Sequence, residues 1–219
     1  MTEWLSYSLA DFLLFAPRTY YRLFALHNAA VWPLQVAALA SGAALVAMVF
    51  ARRPAWRGRA VALVLAAWWL FVAWSWQYQR YDTINFAGRW FALAFAAEAG
   101  LLVWIAFCDQ LRFARGGIVG ALVAAFALVL QPLIGPLLLG RDWASVELFG
   151  IAPDPTAVVT LGLLVAARPA PWLALVIPLL WCAVTGLTLF ALEAPDAWVT
   201  PAFGLVALSV AVARRRAAA

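Results

Sequence analysis

The chain contains no lysine, one histidine (His27) and two cysteines (Cys108 and Cys182) in 219 residues. Each scarcity excludes a chemistry. Without lysine there is no Schiff-base nucleophile, so a retinal pigment of the opsin type is ruled out. One histidine cannot build a three-histidine zinc site or HExxH, nor supply both axial ligands of a haem. Two cysteines far apart in sequence form no CxxC and read as small buried hydrophobes, not as a redox pair or a structural disulfide. GxSxG, the P-loop and GxGxxG are all missing. These absences imply no cofactor and no metal, and they lean against an enzyme. Charge is scarce as well. Only 11% of the residues are charged and 67% are hydrophobic, against about 25% and 45–50% in soluble domains. A soluble fold of this length could not cover that apolar surface.

The apolar residues lie in long runs, and roughly 20 apolar helical residues cross a bilayer core about 30 Å thick. The expected spans are 29–50, 60–77, 86–107, 116–139, 156–167, 172–192 and 197–213. The predicted fold is therefore all-α, an integral membrane bundle of about seven helices. Residues 1–28 are read as an amphipathic segment on the outer surface, with a re-entrant hairpin as the alternative, residues 29–213 as the membrane domain, and residues 214–219 as a basic cytoplasmic tail. The chain opens Met-Thr-Glu, without the basic region of a signal peptide.

Orientation follows from arginine. Alternating crossings put Arg52, Arg53, Arg57, Arg59, Arg112, Arg115, Arg168 and Arg214, Arg215, Arg216 on one side with a single acid, Asp109. The other side keeps Arg18, Arg22, Arg80, Arg89 and Arg141 with eight acids. The arginine-rich side is read as cytoplasmic, which places the N-terminus outside and the C-terminus inside the inner membrane of a cell. The net charge of +5 thus reports topology and not nucleic-acid binding. The 156–167 run is short. It is either re-entrant or a crossing, and the charges favour a crossing, because otherwise Arg214, Arg215 and Arg216 would lie outside. Pro155 suits its first helical position and Asp154 the cap before it.

Within the spans Glu98 stands out. An ionised side chain at mid-membrane costs roughly 2.5–3.5 kcal/mol on insertion scales, so it should face the bundle interior or water. It serves either as an acid on an ion or substrate path or as a neutral acid holding helices together. Gln131-Pro132 and Gly135-Pro136 are expected to break the fourth span, freeing carbonyls that are tolerated where they line a cavity. Gln131 is a candidate partner for Glu98. Arg80, Tyr81, Asp82, Asn85 and Arg89 continue the candidate path outward. Arg18, Tyr21, Arg22, His27, Arg141, Asp142, Glu147 and Asp154 form a candidate outer vestibule, although Tyr and Trp are common at headgroup depth in any case. Trp68 and Trp69 lie near mid-membrane, as packing residues or as the wall of a pocket for a planar apolar ligand. Gly116-x-x-x-Gly120 and Ala124 offer a face for close helix packing.

Several segments carry a resemblance. They are Ala10–Phe15 with Pro17–Leu23, Arg80–Asn85, Phe149–Thr156 with Thr160–Gly162, and Ile177–Cys182. Together they resemble a family of small bacterial multi-pass membrane proteins catalogued as a domain of unknown function. The resemblance supports membrane residence and implies no substrate or catalytic residue. The expected function is a transporter or channel for a small solute or ion. The alternative is a non-catalytic accessory or sensor acting by helix packing with a membrane partner protein. A lipid-modifying enzyme using Asp82, Asp142 and Asp154 is the weakest reading. The bilayer is the expected partner, with a homodimer possible for so small a chain.

Overall fold

A computed structural model describes residues 15–51, 56–113 and 117–217. The expectations for residues 1–14, Arg52, Arg53, Arg115 and Gly116 fall outside the described residues. The described residues form helices without strands. In chain order these are α1 (Pro17–Ala30), α2 (Leu34–Phe50), α3 (Arg57–Val72), α4 (Gly88–Phe107), α5 (Ile118–Ala125), α6 (Gln131–Leu138), α7 (Pro153–Ala166), α8 (Trp172–Ala191) and α9 (Val199–Arg216). A π-helical turn, Ala73–Tyr78, extends α3, and another, Phe126–Leu130, joins α5 to α6.

The connections alternate between two ends. At the basic end Arg57 donates to the Phe113 carbonyl, Arg59 Nε to Ala106 O (3.2 Å), the Arg168 N–H to Arg112 O (2.8 Å), and Arg214 to Val165 O. At the acidic end Asn28 Nδ2 donates to Ala144 O and Val146 O, both at 2.8 Å, and Arg141 pairs with Asp196. Many large side chains on the helix exteriors are uncovered, among them Leu93, Trp104, Leu122, Val129, Leu180, Phe190 and Leu205. Among the described residues, four helices are long and apolar enough to cross a membrane: Arg57–Thr83, Gly88–Phe107, Ile118–Leu138 and Trp172–Ala191.

Three expectations need correction. The run 29–50 is not one rod. Ala29 and Ala30 end α1, the chain bends by 94° through residues 31–33, and α2 begins at Leu34. Pro33 lacks the N–H that a continuous helix would use. Helix α1 therefore lies across the acidic end. It buries Tyr20, Leu23, Phe24 and His27, the i, i+3, i+4, i+7 face of an amphipathic helix, with Phe24 stacked on Trp76 at 3.8 Å. Second, Gln131-Pro132 and Gly135-Pro136 do not break the fourth run. Residues 118–138 stay one helix, and the π-helical turn before Gln131 absorbs the change in pairing around Pro132. Third, Pro155 is not the first residue of α7. Ala152 caps that helix, Pro153 opens it, and Asp154 lies within the first turn.

Helix α7 is the axis of the molecule. All of its residues, Pro153 to Ala166, are buried. Its 14 residues span only about 21 Å at 1.5 Å per residue. It is shorter than the four helices long and apolar enough to cross a membrane. Close packing depends on glycine. A Cβ on Gly120 would sit 2.3 Å from Gly162 O, and one on Gly162 would sit 2.6 Å from Gly120 O and from Ala124 N. Backbone therefore meets backbone between α5 and α7, as small residues permit in membrane helices. Gly150, with φ +74°, turns the chain into α7, and a Cβ there would strike the Trp68 indole at 2.6 Å. The mid-helix tryptophans pack within the bundle. Trp69 Nε1 donates to Thr160 Oγ1 (2.8 Å) and Trp68 Nε1 to Ser41 Oγ (2.9 Å).

Candidate functional site: an acidic cavity at the head of the buried helix

Asp154 is 3% exposed at the head of α7, where a carboxylate complements the positive end of the helix dipole. Three donors reach it from two other helices. Trp181 Nε1 (2.8 Å) and Thr185 Oγ1 (2.7 Å) on α8 donate to Oδ1, and Thr200 Oγ1 on α9 donates to Oδ2 at 3.3 Å. Trp181 and Thr185 are one turn apart and so share a face. Gln131 Nε2 donates to Thr200 Oγ1 at 3.3 Å, which extends the network to α6. Gln131 thus turns to Thr200 and not to Glu98.

Asp154 lines a cavity of about 40 Å³, whose wall also includes Tyr21, Gln131, Arg141, Glu147, Asp196 and Thr200. That volume holds water molecules or a small ion, since a single water needs about 10–15 Å³. Arg141 grips Asp196 with both nitrogens, at 2.7 and 2.5 Å, and its guanidinium lies 4.1 Å from the Tyr21 ring centroid. A fork on a carboxylate with an aromatic below is a strong arginine site. Arg141 is therefore committed to Asp196, and Glu147 accepts no hydrogen bond among the described residues. Burial pushes the Glu147 carboxyl well above the usual carboxylate range, Asp154 and Asp196 add to the shift, and Arg141 opposes it. Tyr21 and Gln131 also line the cavity, and Tyr21 Oη and Gln131 Oε1 are out of solvent without a hydrogen-bond partner among the described residues. Three acids against one arginine, with unsatisfied polar atoms beside them, make a site suited to a cation.

The candidate residues divide. Tyr21, Gln131, Arg141, Glu147 and Asp154 come together in this cavity. The others go elsewhere. Arg18 and Arg22 are exposed, and Asp142 Oδ1 caps a turn by accepting from the Ala144 N–H (3.0 Å). His27 is buried against Trp76 at 5.3 Å. Asp82 accepts from Arg89 Nε at 3.2 Å in an exposed pair, Asn85 Nδ2 donates to the Tyr81 hydroxyl at 3.2 Å, and Arg80 is half-buried. Asp82, Asp142 and Asp154 do not share a site.

Glu98 is wholly buried in α4, and neither oxygen has a hydrogen-bond partner among the described residues. It is not among the residues that line the cavity. Phe95, one turn earlier, packs edge-on against Trp181 at 5.0 Å and at a tilt against Trp69 at 4.4 Å, and Trp181 is the residue that donates to Asp154. Asp196, Trp181 and Thr200 escaped the sequence reading. Arg141 and Asp196 lie 55 positions apart, a separation that no helical period links. The one local signal was the Trp181–Thr185 spacing.

Fold and site together define an all-helical bundle with apolar exteriors and a polar cavity at one end. A family model, described as a family of unknown function (DUF6064), matches residues 18–219, and the chain belongs to that family. Neither the curated proteins nor the solved structures contain a match.

Proposed function

We propose that this protein is an inner-membrane protein of seven crossings that carries a small cation or cationic solute, loading it in the acidic cavity in exchange for a proton on Glu147. The observation that carries this reading is the composition of the cavity. Asp154 is held in place by three donors, Arg141 is occupied by Asp196, and Glu147 has no hydrogen-bond partner among the described residues, its carboxyl pushed up by burial and by the neighbouring acids. A cation entering there takes the place of a proton on Glu147, beside the Asp154 carboxylate.

The membrane setting draws support from the uncovered apolar exteriors and from the convergence of Arg57, Arg59, Arg112, Arg168 and Arg214 on one end, the side expected to be cytoplasmic. Helices α2, α3, α4, α5–α6, α7, α8 and α9 are the proposed crossings, with α7 crossing inside the protein. Glu98 is the second acid of the path. It lies about 4–5 Å further along α4 than Phe95, beyond the Trp69–Phe95–Trp181 aromatic contact, which acts as the barrier between the two acids.

Proton release tests the exchange. Sodium, potassium or methylammonium is added to the purified protein in weakly buffered detergent solution with a pH dye. The wild type releases protons with at least one of these cations, and Glu147→Gln releases none while melting as a folded protein. No release from the wild type with any of the three would refute the exchange.

A further inference from the structure

At the 94° bend between α1 and α2, with the segment 143–148 as one wall, lies another cavity of about 480 Å³. It is built on two amides. Asn28 Nδ2 donates to Ala144 O and Val146 O, both at 2.8 Å, which ties α1 to that segment. Gln35 Nε2 donates to Asn28 O at 2.7 Å, which ties α2 to α1. This bond fixes the Gln35 amide and leaves its other end over. Gln35 is 7% exposed and lines the cavity, and its Oε1 is out of solvent without a hydrogen-bond partner among the described residues. A buried acceptor left unpaired is costly, and what it lacks is a donor. Apart from the two amides the described lining is apolar, with Trp32, Trp143, Val36 and Leu39, and no charged residue is in it. A charged head would lose its water there without a counter-charge. An uncharged hydroxyl supplies the missing donor.

The path away from the cavity suits a single chain. Val36 and Leu39 lead onto α2, whose exposed face runs Val36, Ala40, Ala43 and Ala47, at i, i+4, i+7 and i+11, for about 16 Å along the helix. Other uncovered helix faces carry bulky side chains, such as Leu93 and Trp104 on α4 and Leu173, Val176 and Leu180 on α8. A strip of alanines one helix wide is flat enough for one hydrocarbon chain to lie on. Trp32 and Trp143, 69% and 60% exposed, bring to the same cavity the indoles that suit headgroup depth. We propose that this cavity binds the hydroxyl of a single-chain, uncharged lipid alcohol, with the O–H donating to Gln35 Oε1 and the chain lying along α2. The assignment rests on the membrane reading above but not on cation exchange.

The test uses the full chain in neutral detergent micelles, with a photoreactive analogue of oleyl alcohol that carries a diazirine in its chain. Illumination labels α2 and the segment 143–148 ahead of the other exposed faces. Unmodified oleyl alcohol suppresses that labelling. Its methyl ether, which keeps the chain and loses the donor, competes at least about fivefold more weakly, and oleylamine also competes more weakly than the alcohol. Ala29→Phe fills the cavity from an exposed position in its wall and abolishes the labelling while melting like the wild type. Gln35→Met is still labelled but no longer separates alcohol from ether. Equal competition by alcohol and ether on the wild type overturns the proposal, because it marks apolar contact alone. Stronger competition by oleylamine overturns it in favour of a cation site. Labelling spread evenly over the exposed helices, labelling that survives Ala29→Phe, or discrimination that survives Gln35→Met overturns it outright. Fractionation separates this failure from that of the membrane reading. A chain retained by alkali-washed membranes but labelled without selectivity refutes only the alcohol site, whereas a chain released without detergent refutes the membrane reading.

Discussion

At the scale of the residue, Arg141 and Asp196 are the shortest ion pair among the described residues, mostly buried and joined by two short bonds. Removing one partner leaves the other uncompensated in the cavity wall. Asp196→Asn or Arg141→Gln is expected to destabilise the protein by about 2–4 kcal/mol, and the double variant by less than the sum; thermal melts of the three proteins check this. Glu147 gives a prediction in pH. Its folded-state value is raised above the ordinary 4.5, so its contribution to stability is full below that value and is lost as pH rises towards the folded-state value. The melting temperature of the wild type should therefore fall, relative to Glu147→Gln, as pH rises from the ordinary carboxylate range upward. Parallel profiles for the two proteins would show that Glu147 is not held as a buried acid.

At the scale of the element, the Gly120–Gly162 contact decides whether α5 and α7 can meet. Because the nearest atoms are backbone, a larger residue cannot be accommodated by a side-chain rotation. Gly162→Leu is expected to cost about 3 kcal/mol or more. Gly100→Ala on exposed α4 surface meets nothing within 4 Å and should gain about 0.5–1 kcal/mol from helix propensity. Melting curves that rank these two substitutions the other way would contradict the packing described. The helical runs were legible in the sequence because apolar length reports directly on helices in an apolar solvent. The residues at 172–191 and 88–107 are read almost to their ends. The bend at Pro33 and the enclosure of α7 were not legible, since an apolar run looks the same whether it faces lipid or protein. In the site, Asp154, Glu147, Arg141 and Tyr21 were visible as polar residues near apolar runs. Their union with Asp196 and Thr200 depends on contacts between helices far apart in sequence.

At the scale of the whole molecule, the two cysteines report topology without added labels. Cys108 is exposed just beyond the basic end of α4, and Cys182 is buried in α8. A membrane-impermeant maleimide should leave Cys108 unmodified in intact cells and label it once the membrane is opened, while Cys182 stays unreactive throughout. Labelling of Cys108 from outside would invert the proposed orientation. In the proposed orientation the acidic cavity faces outward and the basic end inward, with Glu98 buried in α4. The central claim is that the outward cavity loads a cation for passage across that barrier. It is tested most directly by the flux of sodium, potassium and methylammonium, with the proton counter-flux, into proteoliposomes containing the wild type, Glu147→Gln or Glu98→Gln. The account predicts that the wild type carries at least one of these cations against protons, and that both variants insert and fold but lose the coupled flux. Flux unchanged in Glu147→Gln, or no flux of any of the three cations through correctly inserted wild type, would contradict it.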